Sequence, residues 1–133
     1  MSYQQSEGAQ MAIRSNLWAE VGEQVVLSAW RVQLLEAVES TGSIRAAAAQ
    51  MQVTYDLAWH RIDEMETALG AHLVNRQRGG VGGGCATLTS LGCELVARFN
   101  YFRSRADKVI EQLFGEVFGD GDWRVLPNLR ADN

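Results

Sequence analysis

Four arginines, Arg45, Arg61, Arg76 and Arg78, fall in a stretch that also holds Ser43, Thr54, Tyr55 and His60. Guanidinium forks pair with the oxygens of carboxylates and phosphates, while hydroxyl and imidazole groups both donate and accept hydrogen bonds. This set suits recognition of a phosphate-bearing surface. Asp56 stands among them and, when ionised, accepts only. Catalysis finds no comparable set. No Ser/His/Asp arrangement or carboxylate pair suggests a reaction, and His72, Cys85 and Cys93 lack metal-ligand spacing. The loop from Arg78 to Gly84, with Gly79, Gly80 and Gly82, lacks the Lys-Ser/Thr that a phosphate-binding GxxxxGK[ST] loop requires. No enzyme activity, cofactor or metal is expected.

The elements that must hold these residues can be read from pattern. A chain of 133 residues, 47 % hydrophobic, buries enough surface to form one domain without disulfide or metal. No apolar run is long enough for a membrane span, and the start has neither the basic nor the apolar part of a secretory signal, so a cytoplasmic protein is expected. Cys85 and Cys93 read as reduced thiols. Residues 1–15 are polar and aperiodic and read as a mobile leader. Apolar residues on both sides of Val21-Gly22-Glu23-Gln24 predict a hairpin. Val32, Leu34, Leu35 and Val38 predict a helix over roughly 30–40, closed at Gly42. Ser43 is placed to cap a second helix whose stripe, Ile44, Ala47, Ala48 and Met51, is mostly alanine. After a short turn, Thr54 caps a third helix with Tyr55, Ala58, Trp59, Ile62, Met65 and Leu69 on its apolar face, stopped by Gly70. Trp59, lying on that face, reads as core.

Leu73 to Arg76 and Ala86 to Leu88 predict two strands around the glycine loop. Thr89 then caps a long helix along which Leu91, Leu95, Phe99, Phe102, Ala106, Val109, Leu113 and Val117 step by three or four residues. A small domain cannot cover that whole stripe, so a second copy of the chain is expected on it. Residues 119–133 read as a loose tail. The fold class is therefore mainly α with a small hairpin and a wing: a winged helix-turn-helix over residues 16–118 with a long C-terminal dimerisation helix. In such a unit the second helix of the pair fits the major groove of B-DNA, and the wing meets phosphate or minor groove.

The residues go further than this spacing. T-G-S-I-R-A-A-A at 41–48, V-T-Y-D-L-A-W at 53–59 and E-M-E-T-A-L-G-A-H-L-V-N-R at 64–76 resemble the DNA-binding domain of LysR-type regulators. Within that superfamily the hairpin before helix one, the pair Ala58-Trp59 and the wing R-G-G-V-G-G-G-C-A-T-L-T at 78–89 look more like the N-terminal domain of the molybdate-responsive ModE regulators. The resemblance implies a homodimeric transcription regulator acting on double-stranded DNA, with no enzyme activity. It implies Thr54, Tyr55, Asp56, His60 and Arg61 at the major groove and Ser43 and Arg45 on phosphate. Arg76, Arg78, Gly79, Gly80 and Gly82 would belong to the wing.

The chain departs from the ModE pattern in three places. ModE proteins carry molybdate-binding domains after the long helix, whereas this sequence stops at Asn133, so no molybdate site is expected. The position after Tyr55, usually basic, is Asp56. The third helix holds Asp56, Asp63, Glu64 and Glu66 against the single Arg61. That acidity motivates the alternative of a winged-helix module for protein–protein contact. The formal charge of −4 divides unevenly: much of the acid precedes or follows the motif, while the four arginines sit inside it. If all four contact phosphate in each subunit of a dimer, binding should follow salt with a log–log slope of roughly −7.

Overall fold

The computed structural model describes residues 11–77 and 84–119. Asn16–Arg103 forms one compact unit, and among the described residues 11–15 and 104–119 belong to a second. The first unit opens with a hairpin, β1 (Trp18–Val21) paired antiparallel with β2 (Gln24–Ser28). Only Gly22 and Glu23 separate the strands, with φ of +53° and +69°. Positive φ at both turn positions matches the right-handed twist of the strands, which is why glycine leads the turn.

Three helices follow. α1 (Ala29–Thr41) starts where Ser28 Oγ accepts from the Arg31 N–H at 3.2 Å and ends at left-handed Gly42, φ +83°. α2 (Ile44–Gln50) is capped by Ser43, whose Oγ accepts from Ala46 N at 2.9 Å. α3 (Tyr55–Leu69) is capped by Thr54 through Leu57 N at 3.1 Å and ends at left-handed Gly70. The α2–α3 turn passes through Gln52 at φ +59°, a conformation that L residues other than Gly, Asn and Asp seldom adopt. Ala47 and Ala58 are fully buried, and small side chains there let α2 pack closely between its neighbours. Leu34, Leu35, Ile62, Met65 and Leu73 fill the centre of the core.

The wing is a separate two-stranded sheet, β3 (Val74–Gln77) and β4 (Cys85–Leu88), with Val74 opposite Leu88 and Gln77 opposite Cys85. Its second strand is tied to the end of α1: the Ala86 N–H donates to Gly42 O and the Leu88 N–H to Glu39 Oε2, both at 2.7 Å. Thr89 N donates to Leu73 O at 2.9 Å, and Thr89 Oγ1 caps α4 (Ser90–Phe118) by accepting from Gly92 N at 3.0 Å. Gly92 lies against the Leu73 carbonyl so closely that a Cβ could not be placed there without moving backbone.

The long apolar stripe of α4 is not uniform. Leu95 and Phe99, expected on a dimer surface, are used inside the chain: Leu95 packs on the core and Phe99 is buried at 6 % exposure. Helix spacing is blind to this, because the core of the same domain satisfies an apolar stripe as well as a partner does. Phe102 is exposed. In the second unit, Ser15 Oγ donates to Asp107 Oδ1 at 3.3 Å and Phe114 stacks on Phe118, while Val109, Leu113 and Val117 lie open to solvent. Residues up to 10 of the expected leader and 120–133 of the expected tail lie outside the described residues. No helix among the described residues is long and apolar enough to cross a membrane.

Candidate nucleic-acid interface

The starts of α2 and α3 and the root of the wing meet around an open cleft of about 680 Å³. Ser43 and Arg45 contribute from the start of α2, Tyr55 and Trp59 from α3, and Arg76 and Ala86 from the wing. The alternation of a capping Ser43 with the following Arg45 is a local consequence of sequence: once Ser43 caps, Arg45 lies in the first turn of α2 and is exposed. Its guanidinium carbon stands 4.6 Å from the centroid of the Tyr55 ring. Arg76, from the wing root, is placed in the same manner, 5.7 Å from the Trp59 ring centroid. An aromatic face holds a guanidinium plane while leaving its edge N–H groups free to donate. Two arginines thus flank one cleft, each held by an aromatic residue of α3.

Ser43 and Thr54 each accept one backbone N–H as a helix cap, and neither hydroxyl proton is used in that bond, so each can donate to an outside acceptor. Asp56 and His60 are exposed on α3 without lining the cleft. Trp59 is half-buried: it packs against the core and also reaches the cleft, so the expectation of a core residue describes part of its role. Arg61 is less free than its position suggested. It is half-buried, and its Nη1 pairs with Glu64 Oε1 at 2.8 Å. Arg78, Gly79, Gly80 and Gly82 lie outside the described residues.

Sequence reading missed Arg31. Its side chain, 11 % exposed, reaches from α1 to α3, the guanidinium donating to Arg61 O at 3.1 Å and to Glu64 Oε2 at 3.0 Å. Glu64 therefore bridges two arginines, one on each carboxylate oxygen. Glu66 is buried and turned to the wing root, where it accepts from Leu73 N, Val74 N and Arg76. Half of the acid counted on the third helix is consumed within the domain. Asp56 and Asp63 are what that helix presents to solvent. A signal for this existed in the sequence, since Arg31 and Arg76 are cations flanking α3 with no local acidic partner of their own, but spacing alone could not pair them.

Comparison with known proteins supports this frame. Residues 30–98 match the model of bacterial regulatory helix-turn-helix proteins of the lysR family. The molybdenum transport protein ModE of Azotobacter vinelandii is 38 % identical over 120 residues, covering 87 % of this chain and 43 % of that protein. The DNA-binding transcriptional dual regulator ModE of Escherichia coli K12 is 34 % identical over 101 residues, covering 76 % of this chain and 37 % of that protein. The chain thus spans less than half the length of these curated relatives. Among solved structures, the crystal structure of a CbnR_DBD–DNA complex superimposes with a TM-score of 0.51 at 20 % identity, over 65 % of this chain and 94 % of that one. That likeness shows the shared winged-helix fold.

Proposed function

Because this chain belongs to the lysR family of bacterial regulatory helix-turn-helix proteins, we propose that it binds double-stranded DNA as a homodimeric transcription regulator. The observation that carries the reading is the cleft between α2, α3 and the wing, lined by both Arg45 and Arg76, each set over an aromatic ring of α3. α3 enters the major groove with Thr54, Tyr55, Asp56 and His60 at its leading face. Arg45, Ser43 and Arg76 meet the phosphate backbone, and the wing from Arg76 through Arg78 to Gly82 adds backbone or minor-groove contacts. Asp56 cannot reward phosphate. It suits a base-edge donor such as the cytosine amino group, so its place is in selecting sequence rather than in affinity.

The second copy docks on the outer part of α4, where Ala106, Val109, Leu113 and Val117 make one face and the last three are more than half exposed. A two-fold dimer then reads a pseudo-palindromic site with half-sites separated by whole helical turns. The reading assigns no enzymatic step and no cofactor.

Binding to duplex fragments flanking the gene, titrated with salt, tests it. Arg45 and Arg76 alone, two per subunit, predict a log–log slope of at least roughly −3.6 in magnitude, rising toward −7 as further arginines engage. Arg45→Ala should weaken binding to all duplexes and make the slope shallower by about 1.8, because each subunit then neutralises one phosphate fewer. A folded dimer that binds these fragments with no salt dependence, or not at all at low salt, would overturn the reading.

A further inference from the structure

Glu66 has more partners than any other carboxylate described, and they divide between its two oxygens. Oε2 accepts from the backbone N–H of Leu73 at 2.8 Å and of Val74 at 3.1 Å, which fixes the turn between α3 and β3. His72 Nδ1 lies 3.6 Å from the same oxygen. Oε1 accepts from Arg76 Nη2 at 3.1 Å. Glu66 is 7 % exposed, so it does not line the cleft surface itself. Arg76 is therefore gripped on one edge by a buried carboxylate and on one face by Trp59, while 31 % of its side chain opens outward. A long side chain that would sample many rotamers at a strand edge is reduced to one presentation.

We propose that Glu66 is a positioning residue for DNA recognition: it touches no nucleic acid, and it sets the direction in which the Arg76 fork meets the backbone. This rests on the DNA-binding reading above. A fork held in advance loses less entropy on binding and offers two parallel N–H groups to a phosphate, so its removal should be felt in specific complexes more than in loose ones.

Glu66→Gln separates the two jobs of the side chain. The buried N–H groups of Leu73 and Val74 keep the amide oxygen as acceptor, and the amide NH₂ is left facing Arg76, where two donors meet. The measurement is salt-titrated binding to duplexes that the unmodified protein selects from a random pool, beside random duplex of equal length. Glu66→Gln should bind the selected duplex on the order of tenfold more weakly, with a slope shallower by up to about 1.8 in the dimer, and should hold random duplex at least as well as before. Combining Glu66→Gln with Arg76→Gln should weaken binding no further than Arg76→Gln alone, because both act through one phosphate pairing. Arg76→Lys, which keeps the charge and loses the fork, should resemble Glu66→Gln.

Three outcomes overturn the proposal while leaving the DNA reading intact. Tighter binding to all duplexes by Glu66→Gln would mean that only the lost negative charge mattered. Unchanged affinity and slope per folded molecule would mean that Glu66 serves only the fold. Wild-type behaviour of Arg76→Lys would mean that the orientation of a fork is irrelevant. Failure of the unmodified protein to select or bind any duplex overturns the DNA reading itself, and this proposal with it.

Discussion

The two parts of α4 carry the same apolar spacing and meet different fates. Within Asn16–Arg103 the helix is absorbed: Gly92 abuts the Leu73 backbone, Leu95 and Val96 pack on the core and Phe99 is buried. In the second unit Val109, Leu113 and Val117 repeat the pattern with more than half of each side chain in solvent. A hydrophobic stripe states that a surface wants covering and is silent on what covers it. Where the wing and α1 are at hand the chain covers itself; beyond them the exposed face is the one on which the proposed second copy would dock.

Substitutions along the one helix test whether its two parts differ in this way. The largest effect is expected for Phe99→Ala, which should remove about 3 kcal/mol or more of unfolding free energy, measured by denaturant titration at any protein concentration. Gly92→Ala follows: the added Cβ meets the Leu73 carbonyl, so a loss of about 1–3 kcal/mol is expected even though alanine is the better helix former. Leu113→Asp should change the intrinsic stability of the Asn16–Arg103 unit by no more than about 0.5 kcal/mol, yet abolish dimers in sedimentation velocity. If Leu113→Asp instead unfolds the chain as Phe99→Ala does, the two parts of the helix are equivalent and the distinction falls. The smallest effect is expected away from that helix, at Gln52 in the α2–α3 turn. Its left-handed backbone is relieved in Gln52→Gly, with the gain offset by glycine's greater unfolded freedom, for a net stabilisation on the order of 0.5 kcal/mol in the same titration.

A similar division runs through the charged residues. Asp56, Glu64 and Glu66 stand on one helix and look alike in sequence, where together with Asp63 they give it a charge hostile to phosphate. Glu64 bridges Arg31 and Arg61, and Glu66 holds the wing root. A carboxylate paired with a nearby guanidinium is compensated close by and contributes little field at the interface, whereas exposed Asp56 remains a charge that DNA would meet. The protein–protein alternative rested on that acidity, and the pairings leave it much less to stand on.

Much of the local architecture was legible. Ser43 and Thr54 cap their helices and Gly42 and Gly70 close theirs, because a cap joins residues three or four apart and is written in the sequence at that spacing. Boundaries were read less well where the signal was weaker: α1 begins one residue earlier than expected, under the cap of Ser28, and β3 begins at Val74 rather than Leu73. The candidate site was legible as a set of residue types. Which of them share a cleft, and that Tyr55 and Trp59 each carry an arginine, was not, since α2, α3 and the wing meet only after folding.

The order of elements, their caps, the kinship of the motif and the arginines available for phosphate all follow from the chain read residue by residue. Folding in three dimensions settled the rest: which acids are neutralised, which part of the α4 stripe stays bare and how Arg76 is held between Glu66 and Trp59. The physical reason is the range of the interactions. Helix caps and periodicity act within a turn of chain, while ion pairs, ring contacts and burial depend on distances between residues tens of positions apart, and those distances exist only in the folded domain.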